Sequence, residues 1–180
     1  MGYRHDPEQL LAAIVEACLD DGLPVLTFGR LASRLGVSDR ILVYYFESKE
    51  ALLGAVMANI GARLQADLEA AFGSSPRPPA ELVDSAWKVL GSPKARPIFA
   101  IWFELIGRAV RGEQPHATLA QATAAAWIDW IAERVDAPTA ATRRRIATRV
   151  LATIEGALLL RLLGQSVPAS LVIEQTEARR

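Results

Sequence analysis

The sequence predicts an all-α protein, and three observations carry that expectation. Alanine and leucine outnumber the β-branched residues in a chain of 180 residues that is 51% apolar, a balance that favours helix over sheet. Apolar residues recur at helical spacing through most of the chain. Breaks of glycine, proline and serine divide it into helix-length segments, about nine in total.

At the N-terminus, Asp6, Pro7, Glu8 and Gln9 read as N-cap, first-turn proline and capping-box partner of a helix that carries Leu11, Ile14, Val15 and Cys18 and stops at Gly22. Thr27 caps a second, short helix with Phe28, Leu31, Ala32 and Leu35 inward, and Gly36 supplies the left-handed turn that ends it. Ser38 caps a third helix, in which Ile41, Leu42 and Tyr45 face inward and Asp39, Arg40, Val43 and Tyr44 face out. Helix, three-residue turn, helix is the result. Ser48 opens a long fourth helix that runs to Phe72, and the GSSPRPP segment at 73–79 breaks it. Further helices are expected at about 80–91, 94–112, 116–135, 139–164 and 168–179.

Charge and cysteine usage narrow the function. Twenty basic residues balance twenty acidic ones, so the molecule is not a polycation that coats nucleic acid or membrane by bulk attraction. The lone Cys18 has no partner for an internal disulfide, which fits a reducing cytoplasm. No apolar run reads as a signal peptide or a membrane span, so a soluble cytoplasmic protein is expected. Two histidines and one helical cysteine give no metal-ligand spacing, no nucleophile elbow and no phosphate loop. Neither an enzyme nor a bound cofactor or metal is expected.

A short helix presented by a tight turn can enter the major groove and bring its exposed N-terminal residues to base edges. The segment LTFGRLASRLGVSDRILVYYFESKEALL, from Leu26 to Leu53, carries that unit and resembles the DNA-binding segment of the TetR family of transcriptional regulators. The match runs well from Asp6 to Leu53, and the rest of the chain matches only in helix count and length. The resemblance implies a helix-turn-helix domain at 1–53 and an effector-binding and dimerisation domain at 54–180. It also implies a repressor that leaves a palindromic double-stranded DNA operator when a small, largely apolar effector binds. By the same resemblance, Thr27, Ser38, Asp39, Arg40, Val43 and Tyr44 lie at DNA-contacting positions, with Tyr45 and Lys49 on phosphates. Arg40 suits a bidentate guanine contact, and Asp39 could accept from cytosine or orient Arg40. The first amides of the Ser48 helix suit a phosphate oxygen. Val43 and Ile41 depart from the family's usual tyrosine and threonine, which removes two hydroxyls suited to phosphate.

Between Thr27 and Lys49, the cations Arg30, Arg34, Arg40 and Lys49 exceed Asp39 and Glu47, yet across residues 1–53 five basic residues face eight acidic ones. One module is therefore expected to hold DNA weakly, and a homodimer is needed. Ile146, Val150, Ile154, Leu158 and Leu162 form an i, i+4 row. The resemblance implies that this helix and the last one, with Leu171, Val172, Glu174 and Gln175, pair with their copies in a four-helix bundle. Packing within one chain is the alternative.

Phe99, Trp102, Phe103, Trp127 and Trp130 mark the region where the family holds its effector, although for any single one of them core is the simpler reading. Glu104 reads as the partner of Arg108 four residues on, and His116 as a solvent-facing helix start. Two other classes stay open: a helical small-molecule carrier or hydrolase, and a helix-turn-helix used as a protein adaptor, suggested by the acidic first helix.

Overall fold

The computed structural model describes residues 6–73 and 75–167. Among the described residues eight α-helices follow one another: α1 (Pro7–Asp21), α2 (Phe28–Leu35), α3 (Asp39–Tyr45), α4 (Lys49–Phe72), α5 (Pro79–Leu90), α6 (Arg96–Ala109), α7 (His116–Ala132) and α8 (Ala140–Leu162). Short 3-10 turns at Leu23–Val25 and Pro93–Ala95 precede α2 and α6. The helix expected at 168–179 lies outside the described residues, together with Leu171, Val172, Glu174 and Gln175.

Local chemistry accounts for the boundaries. Asp6 accepts the Glu8 amide and Pro7 occupies the first turn of α1, while Gly22 ends it. Thr27 caps α2 through the Arg30 amide, at 3.4 Å, and Gly36 stops it in the left-handed region at φ 66°. Ser48 accepts the Ala51 amide at 3.0 Å to start α4. The expected helix at 94–112 is shorter at both ends, because a 3-10 turn holds Pro93–Ala95 and the chain leaves helix after Ala109, ahead of Gly112 at φ 75°. The expected helix at 116–135 stops at Ala132; Arg77 then donates its amide to Arg134 and accepts that of Asp136, both at 2.9 Å. This isolated bridge ties the α4–α5 connection to the α7–α8 connection.

A continuous core runs through the molecule. In α1 to α3 it contains Ile14, Val15, Leu31 and Leu42, all fully buried. The inward stripe of α4, from Leu52 through Val56 and Ile60 to Leu68 and Phe72, carries it onward into the space between α5, α6, α7 and α8. Residues 53 and 54 thus lie within one helix, so that the α1–α3 end and the rest of the chain share a backbone rod.

The row Ile146, Val150, Ile154, Leu158, Leu162 points inward, which corrects its assignment to a dimer interface. Val150, Ile154 and Leu158 are at most 4% exposed within the single chain, and Ile146 and Leu162 are half-buried against the core. The row is the inner face of α8, covered by α5, α6 and α7. Its outer face carries Ala152, Gly156, Leu159, Leu160 and Leu163, all exposed. Beside it α7 exposes Gln121, Ala122, Ala125 and Ala126. Asp129 of α7 and Arg144 of α8 form an ion pair between the two helices.

Candidate functional site

The turn between α2 and α3 presents α3 at the surface. Leu42 is its buried anchor, Ile41 and Tyr45 are half-buried, and Asp39, Arg40, Val43 and Tyr44 are exposed, Tyr44 at 81%. An 81% exposed tyrosine beside a half-exposed valine is apolar surface that water does not favour. Tyr44 and Tyr45 meet edge to face, with ring centroids 5.1 Å apart. Ser38 stands at the N-cap of α3 without a side-chain cap bond; only its carbonyl takes part, accepting the Ile41 amide at 3.0 Å. Its expected capping role gives way to an exposed hydroxyl at the helix start. Asp39 lies over Gly29 of α2, where a Cβ would come within 3.8 Å of its carboxylate.

The positive charge here is thinner than its count of residues suggests. Arg34 is held by Asp20 and Asp21 of α1, both at 3.2 Å, and Arg30 donates to the Pro24 carbonyl at 2.7 Å. Among the described residues, Arg40 and Lys49 take part in no salt bridge. The start of α4 is also partly occupied: Ser48 takes the Ala51 amide, and the Glu50 carboxyl is held below its ordinary range by its own backbone N–H and then by the Ser48 hydroxyl. Lys49 is what that helix start has left to offer a phosphate.

Helices α4 to α8 surround an apolar cavity, lined by Phe99, Trp102, Trp127 and Trp130 among aliphatic side chains such as Leu64 and Ile154. About 80 Å³ of it is open to the centres of water-sized spheres. That is several times the roughly 10–15 Å³ one water requires, so the space exceeds a packing defect. Phe103 is not part of this lining. It lies one turn from Phe99, with centroids 6.5 Å apart, and packs half-buried at the edge of the core. Trp130 packs against Phe72 and Trp127, and Arg134 lies over its ring at 3.7 Å.

Glu155 also lines the cavity, and the sequence reading missed it. Trp102 Nε1 donates to its Oε1 at 2.8 Å; burial pushes its carboxyl pKa up against the opposing effect of that hydrogen bond. The available signal was an acid at the centre of the apolar stretch from Val150 to Leu160.

A carboxylate of α6 reaches the chain segment just before α2. Glu104 pairs with Arg108 at 3.0 Å, as its spacing predicts, and its other oxygen accepts the Leu23 amide at 3.2 Å, 81 residues away and just before α2. His116 is half-buried rather than solvent-facing, with Nδ1 enclosed and unpaired among the described residues. Burial, then Arg108, lowers its pKa. Cys18 is buried, and its thiol is pushed up to about 12, chiefly by that burial, which keeps it protonated and inert. Among the described residues no cluster of metal-ligating side chains is present, and no helix is long and apolar enough to cross a membrane.

Residues 10–56 match the family model of the bacterial regulatory proteins of the tetR family. No curated protein matches the chain in sequence. The fold recurs in solved structures of low identity. A TetR transcriptional regulator from Legionella pneumophila is 18% identical, with 98% of each chain covered and a TM-score of 0.69. A transcriptional regulator from Rhodococcus sp. Rha1 is 19% identical, with 96% of this chain and 92% of that one covered and a TM-score of 0.71. A protein from Saccharomonospora viridis, solved in complex with choline, is 17% identical, with 95% and 93% covered and a TM-score of 0.68. Residues 10–56 thus carry the sequence pattern of a tetR-family helix-turn-helix, and the chain as a whole shares the fold of these solved regulators.

Proposed function

We propose that the chain acts in the cytoplasm as a homodimeric repressor that leaves a near-palindromic operator when a small, largely apolar effector fills the α4–α8 cavity. The observation that carries this reading is the continuity of α4: one end stands beside α3 and the other forms a wall of the cavity. Residues 1–53 serve as the DNA-binding unit and 54–180 as the effector and dimer unit. Arg40 reads a guanine, Val43 meets a thymine methyl, and Asp39 accepts from a cytosine amine. Thr27, Ser38, Tyr44, Tyr45 and Lys49 hold the backbone, which sets register without reading sequence.

The dimer forms through the outer faces of α7 and α8, where Ala122, Ala125, Ala126, Ala152 and Gly156 let two helix pairs approach closely and Leu159, Leu160 and Leu163 supply apolar area. Among the described residues of each module, Arg40 and Lys49 are the cations held by neither a salt bridge nor a hydrogen bond, so two modules are needed for useful affinity. That a protein of the same fold was solved with choline supports a small-molecule site in this architecture. The Glu104 to Leu23 hydrogen bond gives cavity rearrangements a route to the start of α2. An effector releases DNA only if it favours the module spacing that DNA does not.

The test is selection of the full-length protein against a random duplex library, followed by footprinting. The reading expects an enriched near-palindrome with half-site centres about 34 Å apart or a multiple of that, and affinity that falls steeply with salt. Absence of an enriched motif contradicts it and favours a carrier or adaptor role.

A further inference from the structure

Glu155 is an expensive residue to place where it stands. It lines a cavity whose other walls are aliphatic and aromatic apart from Thr123, and among the described residues it has no salt-bridge partner and one hydrogen-bond donor, Trp102 Nε1 at 2.8 Å. A carboxylate partly withdrawn from water with no counter-charge is costly. Orienting Trp102 does not explain the charge, because a glutamine would accept the same indole N–H without that cost. The carboxylate's second oxygen is left with no donor from the described residues. Around it, Trp102, Trp127 and Phe99 turn aromatic surface toward the same space, and aromatic faces attract cations. Trp130 already takes such a partner on its ring, from Arg134.

Resting on the reading of this cavity as the effector site, we infer that its ligand is a small organic cation, an ammonium group on an apolar body, with Glu155 as the counter-charge. The ammonium meets the free carboxylate oxygen, and the apolar body lies against the tryptophans and the inner face of α8 at Val150 and Ile154. Shape and charge then select together: an apolar molecule without charge leaves the carboxylate uncompensated, and an anion is repelled.

The test uses three probes of similar size, 2-phenylethylammonium, 2-phenylethanol and 3-phenylpropanoate, titrated into the full-length protein with tryptophan fluorescence as readout. The ammonium is expected to bind at least about tenfold more tightly than the alcohol, and the carboxylate most weakly. Glu155→Gln keeps the acceptor for Trp102 and is expected to erase the preference, the ammonium binding no more tightly than the alcohol. Trp102→Phe, which retains the aromatic wall but releases the carboxylate, is expected to reduce the preference without reversing it.

Equal binding of ammonium and alcohol to the wild type, or a preference that survives Glu155→Gln, overturns the cation assignment and leaves the effector cavity standing. Failure of all three probes to bind overturns both. Binding of the ammonium with no effect on operator affinity keeps the cation site and overturns its reading as the effector site.

Discussion

The DNA-facing end and the cavity are opposite solutions to recognition. On α3, the groups proposed to read DNA are exposed, and their positions follow from a turn and a seven-residue helix. In the cavity, the proposed recognition depends on side chains from five helices converging on one apolar space with a single carboxylate. The first is local and, on the proposed reading, weak enough to need a second copy. The second is partly withdrawn from water, and a single charge there carries more weight than one on the open surface. An interface built from neighbouring residues can be read from their order; one built by convergence cannot.

The largest expected effect tests the need for a second copy. Leu159→Glu combined with Leu163→Glu, both on the outer face of α8, is expected to leave the helical content unchanged, give a monomer in sedimentation, and lower operator affinity by about 10²–10⁴-fold. A variant that stays dimeric places the interface elsewhere.

Leu42→Ala removes the buried side chain that fixes α3, and is expected to destabilise the protein by about 2–5 kcal/mol in chemical denaturation. Loss below about 1 kcal/mol shows that α3 is not held by this contact. The probes of the cavity are expected to bind the folded fraction as before.

Glu155→Gln separates the regions in the opposite sense, since it is expected to make the unliganded protein more stable. Burial raises the folded-state pKa of Glu155 above its ordinary value of 4.5. As pH rises from that value through the raised one, the unfolded chain loses its proton first and stability falls. The glutamine lacks this loss. Its advantage is expected to be greatest near neutral pH and above, and to vanish below the ordinary carboxyl range; a constant advantage at all pH values excludes the titration as its source.

The smallest effect belongs to the junction. Glu104→Gln retains an acceptor for the Leu23 amide but removes the charge that holds Arg108. About 1 kcal/mol or less of stability is expected to be lost, with a change in how far a cavity ligand lowers operator affinity. An unchanged response removes Glu104 from the coupling route.

What the sequence made legible follows the same division. Thr27, Gly36 and Ser48 announce their roles because caps and left-handed turns are set by one or two residues, and the structure uses all three as expected. The exposed set Asp39, Arg40, Val43, Tyr44 also follows from one helical period. The α8 row did not yield its direction. An apolar stripe records that a helix face must be covered, but not whether a partner or the same chain covers it, and here α5 to α7 do. Phe103 failed for a related reason: Phe99 and Phe103 share a helix face in sequence, yet only Phe99 reaches the cavity. His116 was read from its neighbour Pro115, whereas its burial comes from packing around it that sequence order does not reveal. Glu155 was visible as an acid in an apolar run, but its meaning required Trp102, 53 residues away.

The most direct test of the central claim, that the exposed face of α3 reads sequence, is the base-preference profile of Arg40→Ala on the selected operator. The side chain is exposed and lies outside any salt bridge among the described residues, so the melting temperature is expected to stay unchanged. Binding is expected to weaken by about 1–3 kcal/mol, with preference relaxed at one position in each half-site. A variant with wild-type affinity and an unaltered profile contradicts the account.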